Sequence, residues 1–373
     1  MRCLFLAPLK SPDDPVPSGE RTMARLYMKA LRAAGYQVEL ASQLRTRLSR
    51  PSAADWDRLT RQAEDELHRL ADGIGDEPVA CVFTYHVYYK APDLIGPALA
   101  DRIGVPYVIA EASRAPKRAT GATAEGHARA ECAIDAARLL LTPTAADREM
   151  LERFRPPGQH IVDLKPFIDA SEWPRAFKPR LDRLAGPTRL ITVAMMRERD
   201  KLASYLQLAQ ALRTLPTKDW TLDVIGDGPA RETVQAAFAD IGTRVTFHGA
   251  VPDRPQLGDL LAQADIFVWP GVNEAFGAAY LEAQAHGLPC VAGRHGGIAD
   301  AIADGVTGIL SPAGDINSFA QAISRLITDA TLRRQMSEAA IRFMRDERSL
   351  PAATNQLGQA LEAAGIALPR RFP

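Results

Sequence analysis

The sequence predicts an α/β protein made of two doubly wound parallel-sheet domains. Three observations carry this. The chain opens with a strand, loop, helix and strand. The same alternation restarts after a proline-rich stretch in mid-chain. The 373 residues suffice for about two domains of ordinary size.

Each element has a local reason. Residues 2–7 are a short apolar run, as a buried strand requires. A polar, proline-containing loop from Leu9 to Gly19 leads into Met23, Leu26, Tyr27, Ala30 and Leu31, which recur at helical spacing. Gly35 stands where a helix ends on glycine, and Val38 and Leu40 alternate with polar neighbours as in a second strand. Trp56, Leu59, Ala63, Leu67 and Leu70 line one face of a long helix. Residues 79–85, 105–110 and 139–141 read as further strands. Residues 166–187 contain Pro166, Pro174, Pro179 and Pro187 without periodicity and read as an interdomain linker. Beyond it, residues 190–194, 222–225, 245–247, 266–269, 290–292 and 308–310 are short buried strands separated by helices. A final helix is expected at about 352–364, after a break at Pro351. The domains are therefore expected at 1–165 and 188–350, with 351–373 returning to the first. Parallel strands joined by helices place ligands beyond the strand C-termini, along a cleft if two such sheets face each other.

Composition excludes other classes. With 45 Lys+Arg and 45 Asp+Glu the formal net charge is +0, unlike the basic excess of a dedicated nucleic-acid binder. Cys3, Cys81, Cys132 and Cys290 are scattered and form no CxxC pair, which argues against a zinc knuckle and for a reducing, cytoplasmic setting. No apolar run approaches a membrane span, and the N-terminus reaches Pro12, Asp13 and Asp14 too soon for a signal peptide. The basic run 43–50, with Arg45, Arg47 and Arg50, is too small for stable membrane anchoring and reads as a solvated loop. Asp55-Trp56-Asp57 is a D-x-D, but it opens the amphipathic helix. Trp56 belongs to the buried stripe, so Asp55 is read as an N-cap rather than a metal ligand. No other His, Cys, Asp or Glu cluster has metal-ligand spacing, and no cofactor or essential metal is expected.

The most informative segment is NEAFGAAYLEAQAHG, from Asn273 to Gly287. Glu274 precedes a helix expected to start near Phe276 or Gly277, and Glu282 lies inside it. Amides at Ala275, Phe276 and Gly277 would form an anion site at the helix mouth. One carboxylate beside that site and a second deeper suit a sugar diphosphate with a ribose behind it. Two spaced glutamates on an ordinary helix would look similar, so neighbouring segments decide.

Those segments are Gly287, Pro289 and the Gly296-Gly297 turn, the run IGDGP at 225–229 and the run FHGAV at 247–251. With Glu274-Ala275-Phe276-Gly277 and Glu282 spaced as E-x7-E, the sequence resembles the family-4 retaining glycosyltransferases of the GT-B fold across nearly its whole length. The resemblance implies two Rossmann-like domains, the first on the acceptor side and the second on the donor side. It implies transfer of a sugar from a nucleotide sugar to a saccharide, lipid-linked or small-molecule hydroxyl acceptor, with retained anomeric configuration. It further implies that Glu274 holds donor-sugar hydroxyls and Glu282 the ribose. Ala275, Phe276, Gly277 and Ala278 would contact the sugar and diphosphate, and Gly226, Gly249 and Val251 would border the nucleotide. Lys201 and an arginine, Arg197 or Arg199, would neutralise the diphosphate. Gly19 stands in a loop that is glycine-rich in the family but keeps one glycine in this chain. His86 follows the strand VFTY where the family often places a histidine near the donor sugar. Glu111, Arg114, Lys117 and Arg118 follow the next strand and would face an acceptor only if it is anionic. Two other readings stay open: a GT-B enzyme of another reaction type, such as a sugar-nucleotide epimerase, and a non-catalytic nucleotide- or sugar-binding protein. A nicotinamide dehydrogenase is disfavoured, because neither half carries G-x-G-x-x-G between a strand and a helix.

Overall fold

The computed structural model describes residues 1–16, 18–178, 186–274 and 277–369. The chain divides into two compact units, one of 1–165 with 350–373 and one of 166–349.

In the first unit, β1 (Arg2–Leu6), α1 (Gly19–Ala33), β2 (Gln37–Leu40), α2 (Ala53–Asp72), β3 (Val79–Val87), α3 (Gly96–Ile103), β4 (Tyr107–Ala112), α4 (Ala124–Ala136), β5 (Leu139–Thr142), α5 (Ala145–Arg153) and β6 (His160–Asp163) alternate along the chain. The strands form one parallel sheet in the order β2-β1-β3-β4-β5-β6. Its central strands are mostly apolar, because helices cover both faces, with Thr84, His86 and Glu111 as the polar exceptions near the C-terminal ends of β3 and β4. All six residues of β4 are buried.

Local chemistry sets the helix ends. The Ser18 side chain caps α1 by accepting from the Arg21 amide at 3.2 Å. Gly35 follows its end at φ 100°, a left-handed value that glycine adopts without strain. The cap of α2 corrects the sequence expectation. Ser52, not Asp55, is the N-cap, and Asp55 lies at the third helical position, closing a reciprocal capping box. The helix begins before the D-x-D rather than at it, so Asp55 is engaged by the Ser52 amide and hydroxyl. The sequence reading also passed over β6. Its four residues include only two apolar ones, too few to show a period, yet they pair in register with β5.

The second unit repeats the alternation: β7 (Thr188–Val193), α6 (Asp200–Thr214), β8 (Trp220–Ile225), α7 (Arg231–Phe238), β9 (Val245–Gly249), α8 (Arg254–Gln263), β10 (Ile266–Trp269), α9 (Ala278–Ala285), β11 (Cys290–Gly293), α10 (Ile298–Ala301), β12 (Gly308–Ser311), α11 (Ile316–Thr328) and α12 (Ala330–Glu347). Its parallel sheet runs β9-β8-β7-β10-β11-β12. Residues 166–178 pack on this unit: Trp173 is buried against His286, and the Phe177 amide donates to the Ala285 carbonyl at 2.7 Å.

The last helix, α13 (Leu350–Ala363), belongs to the first unit. Pro351 lies inside its first turn rather than breaking the chain before it, where a missing N–H costs no helical bond. The Tyr36 hydroxyl and Arg138 Nε donate to carbonyls just past its end, those of Ala367 and Ala364, at 2.9 and 3.2 Å.

The strand orders locate the sites. In the first sheet the winding reverses between β1 and β3, in the second between β7 and β10. Ligands of doubly wound sheets bind beyond the strand C-termini at such a reversal.

Candidate functional site

In the second unit, the segments leaving β7 and β10 converge. The first carries Arg197, Arg199, Asp200 and Lys201, the second Glu274. Lys201 Nζ is ion-paired with Glu274 Oε2 and lies 5.6 Å from the centre of the Trp269 ring, the last residue of β10. The two side chains are 26% and 18% exposed, so the pair is sheltered but reachable. Cross-links fix the segments. The Val272 amide donates to Ser204 Oγ at 2.9 Å, and Asn273 Nδ2 donates to Asp200 Oδ1 at 3.0 Å. Arg199 and Asn273 both stand at positive φ, 65° and 51°, a strained conformation retained where the surroundings over-determine it. Arg197 is exposed and has no ion-pair partner among the described residues.

Glycines line the rest of this centre. Gly226 has φ 143°, and an added Cβ would run into the Ala194 carbonyl oxygen. Gly228 has φ 150°, with a Cβ position 2.5 Å from the Met196 carbonyl oxygen. The turn after β8 therefore lies directly on the segment after β7, and only glycine fits. The Gly226 amide donates to the Gly249 carbonyl at 2.8 Å, drawing the end of β9 alongside. Val251 is half-buried against the core of the unit. Gly277, at φ 69°, caps α9, and a side chain there would sit 2.6 Å from the Tyr280 ring. The helix starts at Ala278, which is exposed, so its first amides lack intrahelical acceptors. Ala275 and Phe276, expected at the helix mouth, lie outside the described residues. Glu282 is half-buried on α9. Burial pushes its carboxyl above the usual range, and the positive charge of Arg254 partly offsets this.

A second polar centre occupies the reversal of the first sheet. His86, near the end of β3, is 2.8 Å through Nδ1 from Oε2 of Glu20, in the first turn of α1, and 3.8 Å from Oε2 of Glu111, on β4. The Tyr85 hydroxyl lies 3.1 and 3.3 Å from the same two oxygens. His86 and Glu111 both have positive φ, 62° and 61°. Burial drives the Glu111 carboxyl up to about 7, against the opposing charge of His86. Burial also disfavours the charged forms of His86 and Glu20, but their mutual hydrogen bond and attraction outweigh it. His86 is raised and Glu20 lowered from their ordinary values.

Gly19 opens α1 with open space at its Cβ position, so the backbone does not require glycine there. Glu20 fills the helix mouth with negative charge instead. Arg114 is not a loop charge facing an acceptor: its side chain is 2% exposed and paired with Glu131 and Asp135. Lys117 and Arg118 are exposed, and Arg118 lies over the Tyr89 ring at 5.3 Å. Sequence reasoning passed over Glu20, Ser204 and Trp269. The one available signal was the position of Glu20 directly after Gly19. Among the described residues no group of three or more His, Cys, Asp or Glu could hold a metal, and no helix is long and apolar enough to cross a membrane.

The two sheets match the fold of GT-B glycosyltransferase structures, and residues 187–329, within the second unit, match the family described as Glycosyl transferases group 1. More particularly, the chain is similar to two D-inositol 3-phosphate glycosyltransferases. That of Arthrobacter sp. (strain FB24) is 31% identical over 219 residues, 56% of this chain and 51% of the relative. That of Corynebacterium aurimucosum is 28% identical over 309 residues, 76% of this chain and 72% of the relative. The chain thus spans about half the length of the first of these. Among solved structures, Anabaena Alr3699/HepE in complex with UDP aligns with TM-score 0.71 at 16% identity, covering 97% of this chain and 100% of that one.

Proposed function

We infer that the protein is a retaining, family-4 glycosyltransferase that moves a sugar from a nucleotide sugar to a hydroxyl acceptor without a divalent metal. The observation that carries this is the Lys201–Glu274 pair beside the glycine-lined strand ends at the reversal of the second sheet. The chemical task is departure of a nucleoside diphosphate while the anomeric carbon gains positive charge. Lys201, with Arg197 four residues before it, supplies positive charge for the diphosphate. The first amides of α9, from Gly277 and Ala278 on, supply donors in place of a metal ion. Preorganised donors of this kind are each worth a few kcal/mol of barrier. Glu274 takes hydroxyls of the donor sugar, which requires the ion pair to open or be bridged on binding. Glu282 takes the ribose hydroxyls. Gly226, Gly249 and Val251 border the nucleoside, and a place for His86 beside the donor sugar rests on the family resemblance alone. Ala275 and Phe276 belong to the same set by position in the sequence. The four free thiols favour a reducing, cytoplasmic setting.

A thermal-shift panel of UDP, GDP, ADP and their sugar conjugates tests the reading. A ligand at 100 times its Kd stabilises the folded protein by about 2.7 kcal/mol. The expected result is a shift from one nucleotide, lost in Glu282→Ala, followed by turnover with retained configuration that EDTA leaves intact. Loss of turnover on EDTA treatment with recovery in Mn²⁺ would overturn the metal-independent mechanism. No shift from any nucleotide would overturn the donor site.

A further inference from the structure

The centre in the first unit has a property that structural packing does not account for. Glu111 is 7% exposed, and its Oε1 is buried without a hydrogen-bond partner, while Oε2 is shared by Tyr85 and His86. Buried polar atoms are nearly always partnered, and an orphaned carboxylate oxygen calls for a ligand. Glu111 and His86 are also held at strained backbone angles, which fixes the carboxyl and imidazole against each other.

The charges around it select the ligand. Glu20, Glu111 and Asp147 face His86, which among the described residues is the one basic group ion-paired with these carboxylates at the centre, through Glu20 and Glu111. Lys10, whose charge also acts on Glu20, is paired with Asp14 at 3.5 Å. Arg114 is consumed by Glu131 and Asp135. An anionic group entering here meets uncompensated carboxylates, whereas a hydroxyl donates to one. Aromatic surface borders the same spot. The Tyr88 ring centre is 5.1 Å from that of His86, and Tyr89 stands edge-on to Tyr88 at 5.6 Å. Both tyrosines are half-buried, and Lys90 and Arg118 lie over the Tyr89 ring at 5.5 and 5.3 Å, which leaves Tyr88 as the ring proposed to meet a ligand. A few convergent polar groups beside an aromatic wall are the usual furniture of a small-molecule site.

We propose that Glu111, with His86 and Tyr88, forms a subsite for a neutral, hydroxyl-bearing ring of the saccharide or cyclitol class, one of whose hydroxyls donates to Glu111 Oε1. Under the glycosyltransferase reading this ring is the acceptor, and Glu111 is a specificity residue for an uncharged one. The binding step itself does not depend on that reading.

Ligand-observed NMR on the full chain tests it. The neutral probes are myo-inositol, methyl α-D-glucopyranoside, methyl α-D-galactopyranoside and N-acetylglucosamine. The phosphorylated probes are glucose 6-phosphate and inositol 1-phosphate. At least one neutral probe is expected to bind, and Glu111→Gln is expected to weaken it about tenfold or more, the worth of a hydrogen bond to a charged group. Nucleotide-induced thermal shifts should be unchanged in the same variant. If turnover is obtained, KM for the acceptor rises while KM for the donor stays fixed. Should Glu111→Gln fail to fold, Tyr88→Ala gives the same loss of neutral-probe binding. Absence of binding by every neutral probe, preference for the phosphorylated probes, or undiminished binding in the variants would overturn the proposal. Failure of nucleotides to bind would overturn the donor reading alone, because the NMR experiment contains no nucleotide.

Discussion

Lys201→Ala separates catalysis from stability at the second unit's centre. The substitution removes the partner of Glu274 and a cation from the first turn of α6. An exposed ion pair contributes about 0–1 kcal/mol, whereas breaking a buried one costs about 3–5 kcal/mol. With side chains 26% and 18% exposed, this pair lies between those limits, nearer the lower. A loss of about 1–2 kcal/mol and a fall of a few degrees in Tm are expected. Turnover should suffer far more. Removing one preorganised donor to developing charge lowers turnover by about 10²–10³-fold. The assay pairs thermal unfolding with nucleotide-sugar turnover for Lys201→Ala, Glu274→Ala and the double variant. In the double variant no unpaired carboxylate remains, so stability should recover part of its loss while turnover stays low. Two results would refute the reasoning. One is Lys201→Ala turnover within about tenfold of wild type, short of what a lost donor predicts. The other is recovery of turnover in the double variant, which would make Lys201 only a neutraliser of Glu274.

Other expectations follow from the same geometry. Glu111, raised to about 7, holds its proton more tightly folded than unfolded, so it stabilises below the ordinary carboxylate range and loses that contribution as pH rises through 7. His86, also raised, adds to the decline in the same direction, while lowered Glu20 costs stability only as pH falls into the acid range. Unfolding free energies from pH 5 to 8 should fall by at most about 3 kcal/mol, and Glu111→Gln should flatten the slope. Gly226→Ala drives a Cβ into the Ala194 carbonyl at a backbone angle reserved for glycine, and chemical denaturation should show a loss of about 3 kcal/mol or more. Arg114→Met leaves Glu131 and Asp135 without their cation and should destabilise the protein by about 2–3 kcal/mol without altering the nucleotide-induced shift. Asp55→Asn should weaken the start of α2 by circular dichroism but leave turnover and its insensitivity to EDTA unchanged, because Asp55 serves the capping box.

The alternation of strands and helices was legible because buried parallel strands are short apolar runs between amphipathic segments, and Ile266–Trp269 is such a run from end to end. What was hidden depends on contacts distant in sequence. Motif spacing pointed separately to Lys201 and Glu274, but nothing local brings residues 73 apart into an ion pair. Only the order β9-β8-β7-β10 does so, and strand order is not written in periodicity. His86 stood out by its place after a strand. Its partners did not: Glu20 is 66 residues upstream, and Glu111 looked like one of several charges after the next strand rather than the buried end of β4. Arg114 misled for the same reason. A charge three residues past Glu111 looks solvated until α4 supplies Glu131 and Asp135.

Both centres sit where the winding of a sheet reverses, yet they have opposite chemistry, and that contrast argues for different ligands. At the second reversal, Lys201 and Arg197 stand on the segment against which the Gly226 and Gly228 backbone packs. At the first, α1 starts at Ser18-Gly19-Glu20, and the helix mouth, a place where a phosphate can bind, already holds the Glu20 carboxylate. A carboxylate there makes α1 a poor phosphate site and turns His86 toward Glu20 and Glu111. The single glycine at this loop is therefore compatible with the proposed function: the first unit offers carboxylates rather than an anion site, and the cations proposed to meet a diphosphate lie in the second. Glu20→Gly tests this division. If the Glu20 carboxylate is what keeps phosphate from the start of α1, the variant should gain affinity for inorganic phosphate and neutral-ring binding should weaken as His86 loses its partner. Unchanged phosphate affinity would refute the role given to Glu20.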